Sequence, residues 1–169
     1  MPPYKIILVD DHQLFLDGLK LVLRDHDQIE VIDTANSGEE LFEILENTPV
    51  DLVTLDIHLP EIDGVEIAQK IKAKYPSIRI IVISMYSHVS QVKRLVSIGV
   101  NGFILKEKGQ KELIRALEIV LDGDFFYSSE VMQILSGNQS LSKQRNGIHR
   151  VSLTKREVEV LQCVVEGLT

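Results

Sequence analysis

Five polar residues stand where short apolar runs stop. Asp10 and Asp11 follow the run at 5–9 (KIILV), and Asp56 follows 51–55 (DLVTL). Ser84 follows 79–83 (RIIVI), and Lys106 follows 102–105 (GFIL). Three carboxylates brought together repel one another unless a cation sits among them. Carboxylate ligands without Cys or clustered His select a hard ion, Mg²⁺ or Mn²⁺. The five histidines, at 12, 26, 58, 88 and 149, show no metal-ligand spacing. Ser84 adds a hydroxyl and Lys106 a cation, so ammonium, metal and hydroxyl around a carboxylate make room for a second anionic group. Phosphoryl transfer needs this set: a nucleophilic oxygen, a divalent ion, and a cation for the remaining phosphoryl oxygens. Asp56, standing singly, is the nucleophile candidate, and the Asp10-Asp11 pair suits the metal. Each residue also has a plainer use. Asp10-Asp11 could cap a helix starting near Gln13, Lys106 could be a surface lysine and Ser84 a loop serine.

These residues can act together only if the apolar runs lie side by side. The runs, with a further one at 29–32, are brief, β-branched and mostly continuous, which predicts strands buried on both faces of a parallel sheet. Helix-like stretches alternate with them near 13–25, 38–47, 64–74, 88–98 and 109–121. In the last, Leu113, Ile114, Leu117, Val120 and Leu121 form one apolar stripe. Ser37-Gly38-Glu39-Glu40 opens the second helix, Pro60 and Gly64 bracket the loop before the third, Pro76 closes it, and Gly99 ends the fourth. Five strand–helix repeats predict an α/β fold, a (βα)5 doubly wound parallel sheet with the flavodoxin-like order 2-1-3-4-5. In that order the first and third strands are neighbours where strand order reverses, and their carboxyl ends form a crevice. Asp10, Asp11 and Asp56 would converge there.

The composition fits such a fold: 169 residues, 44% hydrophobic and 25% charged, with a net charge of −7. No apolar run approaches the ~18 residues that span a bilayer, no leader-like segment precedes the first run, and Cys163 alone allows neither an internal disulfide nor a Cys-rich zinc site. A cytoplasmic protein without membrane contact is expected. Charge is uneven: residues 1–137 carry thirteen Lys/Arg against twenty-two Asp/Glu, and 138–169 carry five against three. After Gly123 the pattern loosens, and 136–147 (SGNQSLSKQRNG) reads as a flexible linker. Thr154 with Glu157 then makes a capping box, followed by Val158, Leu161, Val165 and Leu168 at helical spacing. Three segments are expected: 1–122, a connecting segment and linker over 123–150, and a second, all-α fragment over 151–169. The apolar stripe of that last helix is expected to pack against the first domain or a neighbouring chain.

The motifs ILVDDH (7–12), LDIHLPEIDG (55–64), VISMYS (82–87) and GFILKE (102–107) resemble, in order, the receiver domain of a bacterial two-component response regulator. DDHQLFLDGL (10–19) and SIGVNGFILKE (97–107) further resemble the NarL/FixJ subgroup, and SLTKREVEVLQCVVEGLT (152–169) resembles the opening of its LuxR-type helix-turn-helix domain. The resemblance implies a phosphorelay protein that takes a phosphoryl group on Asp56 from a sensor histidine kinase. Asp11 and Asp56 would bind Mg²⁺ by their carboxylates, the His58 backbone carbonyl would be a third ligand, and Asp10 would act through water. Ser84 and Lys106 would contact phosphoryl oxygens, and Phe103, where the subgroup often has Tyr, would change rotamer with Ser84. Receivers commonly carry Pro after this lysine; here Glu107 follows, and a non-proline cis bond costs ~2.5–4 kcal/mol. The face formed by the fourth helix, fifth strand and fifth helix would switch on phosphorylation to control transcription, with a homodimer as one form. DNA binding would need an intact C-terminal domain, and 152–169 supplies its first helix without a recognition helix.

On this reading the chain is no enzyme, beyond a slow Mg²⁺-dependent loss of its own phosphoryl group. Two rivals differ at named positions. A haloacid-dehalogenase-type phosphatase also uses an Asp nucleophile after a parallel strand but wants an acid two residues later, where this chain has His58. A flavin-binding module wants a hydroxyl- and Gly-rich phosphate loop after the first strand, where Asp10-Asp11-His12 would repel phosphate.

Overall fold

A computed structural model describes residues 2–85 and 88–136, which belong to one compact unit running over 1–138. The apolar runs form strands β1 (Tyr4–Val9), β2 (Ile29–Ala35), β3 (Leu52–Leu55), β4 (Arg79–Ser84) and β5 (Gly102–Leu105). Between and after them lie helices α1 (Gln13–Leu23), α2 (Gly38–Asn47), α3 (Gly64–Lys74), α4 (Val89–Ile98) and α5 (Gln110–Leu121). All strand pairs are parallel, and the order β2-β1-β3-β4-β5 is the doubly wound one. The helices end close to where their caps and breakers stand. Ser37 accepts a hydrogen bond from the Glu40 N–H at 3.2 Å, Asp63 caps α3 through the Val65 N–H at 3.0 Å, and Gly99 closes α4 at φ 93°.

Continuous apolar strands make sense once both faces are covered. Along β1, Ile6 and Leu8 point to the layer holding Leu16, Leu19 and Leu23 of α1, whereas Ile7 and Val9 point to the opposite layer. β4 alternates likewise, Ile81 and Ile83 to one side and Ile80 and Val82 to the other. Helices α1 and α5 therefore cover one face, and α2, α3 and α4 the other.

The chain after 122 holds more regular structure than its loosened pattern suggests. Phe126–Tyr127 form a sixth strand, β6, parallel to β5, and Ser129–Leu135 form α6. The Phe126 N–H donates to the Asn101 carbonyl at 3.0 Å, the Ser128 N–H to the Phe103 carbonyl at 3.0 Å, and the Tyr127 hydroxyl to the Val100 carbonyl at 2.9 Å. Val131 of α6 is buried in the same apolar layer as Val92 and Leu95 of α4. The linker at 137–147, the capping box at 154–157 and the apolar stripe of 158–168 lie outside the described residues, and so does Cys163.

Candidate functional site

Strand register brings the acids together. Val9 of β1 is paired with Leu55 of β3, and the Asp56 N–H donates to the Val9 carbonyl at 3.0 Å, so Asp10 and Asp56 emerge side by side from the sheet's carboxyl edge. Both side chains are almost fully buried, at 2% and 3% exposure. Asp11 is more open and joins them: Asp10, Asp11, His12 and Asp56 each offer one donor atom, all within 4.8 Å of one another. The neighbouring α1 begins at Gln13 with His12 as its capping position, and no side chain caps it. The Asp10 carboxylate does accept the His12 N–H at 3.0 Å, a local turn bond that holds the start of the loop rather than the helix.

Lys106 reaches the same point from β5. Its ammonium donates to Asp56 Oδ2 at 2.7 Å and lies 2.5 Å from Asp10 Oδ2, with its side chain only 8% exposed. The Phe15 ring of α1 covers it, 4.6 Å from ring centre to nitrogen. Burial opposes the charge on Lys106, but hydrogen bonds and charges from Asp10 and Asp56 outweigh it and hold the ammonium's pKa above the ordinary lysine value. One cation against three carboxylates still leaves the cluster negative, which together with those three carboxylates suits a divalent ion. The Lys106–Glu107 bond is trans, as are all bonds among the described residues, and Lys106–Lys108 form a single 3-10 turn.

Ser84 closes β4 opposite Leu105, at the same edge of the sheet, and is fully buried. Phe103 is fully buried too, paired with Val82 and pointing into the layer under α3 and α4. His58 donates its backbone N–H to Asp56 Oδ1 at 3.2 Å. The loop from Asp56 to α3 is folded tightly: the Ile62 N–H donates to the Pro60 carbonyl at 2.9 Å across Glu61 at φ 73°, a γ-turn. Gly64 lies so close that a Cβ there would stand 2.6 Å from Ile57 Cα and 2.7 Å from the Asp56 carbonyl.

The structure thus gathers Asp10, Asp11, Asp56 and Lys106 into one cluster, and places Ser84 on the same rim and Phe103 in the core behind it. Two neighbours were missed by sequence reasoning. His12 has no ligand spacing to the other histidines, and the available signal is its position directly after the acid pair. Phe15 carries the helix-face periodicity of α1, and nothing in its spacing marks it as a cover for a lysine.

Residues 6–118 match the response regulator receiver domain family. The chain is 32% identical over 166 residues to the transcriptional regulatory protein MctR of Rhizobium johnstonii, covering 98% of this chain and 75% of that protein. It is 30% identical over 169 residues to the fimbriae Z protein of Salmonella typhimurium, covering 100% of this chain and 79% of that protein. The isolated REC domain of RcsB from Salmonella enterica serovar Typhimurium, solved with the phosphomimetic BeF3−, matches with a TM-score of 0.74 at 23% identity, over 78% of this chain and 98% of that one. A LuxR-family two-component response regulator from Aurantimonas sp. matches with a TM-score of 0.75 at 24% identity, over 80% of this chain and 96% of that one. At these identities the structural likeness speaks to the fold. Among the described residues no helix is long and apolar enough to cross a membrane.

Proposed function

Because the chain belongs to the response regulator receiver family, we propose that Asp56 takes a phosphoryl group from the phosphohistidine of a sensor histidine kinase. The observation that carries this reading is the convergence of Asp10 and Asp56, from neighbouring strands, on the ammonium of Lys106. An Asp56 carboxylate oxygen forms a bond to phosphorus as the phosphorus–nitrogen bond breaks, and the imidazole nitrogen keeps the electron pair. The buried site then holds a group carrying about −1.5 to −2 charges, so its surroundings must be cationic. Lys106 supplies one charge. Asp10, Asp11 and Asp56, with the His58 backbone carbonyl, would hold Mg²⁺ or Mn²⁺, which supplies the charge neutralisation that the phosphoryl oxygens need.

Ser84 and Lys106 act as the readers. Phosphoryl oxygens offer acceptors to the Ser84 hydroxyl and the Lys106 ammonium, and drawing both inward pulls on the chain after β4 and after β5. Phe103, buried beside Val82, follows Ser84 by changing rotamer, and the α4–β5–α5 face repacks. A bias of a few kcal/mol on a two-state face is enough to change what it binds. The output is control of transcription, through DNA where the C-terminal domain is intact and through a homodimer as one active form. Incubation with acetyl phosphate and Mg²⁺ followed by intact mass tests the acceptor. The wild-type chain should gain one HPO₃ and Asp56→Asn none; an adduct on both, or on neither, overturns the assignment.

A further inference from the structure

The imidazole of His12 points at the carboxylates. Its Nδ1 lies 2.7 Å from Asp11 Oδ1 and 3.2 Å from Asp10 Oδ1. The structural work of this residue is done by its backbone: the His12 carbonyl accepts the Phe15 and Leu16 N–H groups at 2.9 and 3.2 Å, and its N–H binds Asp10. The side chain is 71% exposed, so it contributes no core packing, and it makes no capping bond to α1. What holds the ring over the acid cluster is its contact with two of the acids themselves. The carboxylates accept from Nδ1 while it carries the ring proton; with that proton on Nε2 instead, Nδ1 offers its lone pair to an ion seated among the same oxygens.

We infer that His12 is a specificity-determining ligand that shifts this site from Mg²⁺ toward borderline first-row transition ions. The inference rests on the proposed reading that Asp10, Asp11 and Asp56 hold a divalent ion. The chemistry decides the direction. Mg²⁺ is hard, prefers oxygen and keeps several waters, so it gains little from exchanging a water for an imidazole. Co²⁺, Ni²⁺ and their neighbours bind imidazole well, and more strongly along the series towards copper. With all four donor atoms within 4.8 Å of one another, one ion can be reached by nitrogen and oxygen together. The same site would then take two classes of ion with affinities governed by different residues: the acids for both, His12 for the softer class only.

Calorimetric titration of the full chain with Mg²⁺ and, separately, with Ni²⁺ tests this on wild type, His12→Ala, His12→Asn, Asp56→Asn and His26→Ala. Losing a ligand should weaken Ni²⁺ binding by ~10-fold or more in both His12 variants, leave Mg²⁺ affinity as in wild type, and remove a nitrogen-ligand signature from the visible spectrum of the Co²⁺-loaded chain. His26→Ala should bind Ni²⁺ like wild type. Equal losses for Mg²⁺ and Ni²⁺ on His12→Ala would mean that the ring only positions the carboxylates. Unchanged Ni²⁺ binding, or an equal loss on His26→Ala, would place nickel elsewhere; each of these results overturns the inference. If Asp56→Asn leaves Mg²⁺ binding intact, the failure lies one level down, in the metal site itself.

Discussion

Lys106 holds two buried acids apart in charge but together in space. Replacing it with Met leaves Asp10 and Asp56, both almost fully buried, without their ammonium. Breaking a buried pair in this way costs ~3–5 kcal/mol. Urea denaturation of Lys106→Met should therefore show a clear fall in midpoint, and excess Mg²⁺ should recover part of it by supplying the missing positive charge. The alkaline limb gives the sign of the pairing. Burial works against the Lys106 charge and the two acids outweigh it, so its folded pKa is raised. A raised lysine adds stability that is complete below the unfolded value of ~10.4 and is lost as pH climbs through the folded value. The stability gap between wild type and Lys106→Met should be constant through neutral pH and close above that point; a gap that closes below pH ~9 would refute the pairing as its cause. The cluster was legible because each member ends an apolar run, and strand ends are where a parallel sheet gathers residues. The ring of His12 was not, because its direction depends on how the backbone turns after Val9, which no spacing rule reports.

Elements position the site through a few close approaches. The turn from β3 into α3 brings Gly64 against the Asp56–Ile57 backbone, with room for hydrogen and none for carbon. Gly64→Ala should push α3 and β3 apart, at ~1–3 kcal/mol. If Asp56 is the acceptor proposed above, the same variant should slow its labelling by acetyl phosphate, because the displaced backbone carries that side chain. Normal stability with normal labelling would show that the loop yields without cost. The five long helices and five apolar strands were readable because burial on both faces leaves continuous hydrophobic runs, and caps such as Ser37 and Asp63 punctuate them. Strand β6 was hidden for the opposite reason. Two residues carry no period, and Phe126-Tyr127 become a strand only because the edge of β5 is there to pair with. The strut from Lys72 was equally invisible: its ammonium donates to the Ile78 carbonyl and the Asn101 side chain, each at 2.9 Å, tying α3 to the entry of β4 and β5 across distant sequence.

At the scale of the molecule, a sheet is only as finished as its outermost strand. The alternation of strands and helices stops with α5 near residue 121, and a fragment cut at 122 would look complete by that count. It would lack the partners that Phe126 and Ser128 give to the Asn101 and Phe103 carbonyls, and Val131 would leave a gap over α4. Backbone groups of the rim strand would face water with an apolar lining behind them, an open invitation to pair with another copy. Light scattering should find residues 1–122 self-associating and residues 1–136 monomeric at equal concentration, unphosphorylated; identical behaviour would show that the rim needs no cover. Just past the last long helix, a scrap of chain with no pattern of its own decides whether this fold keeps its own company or seeks another's.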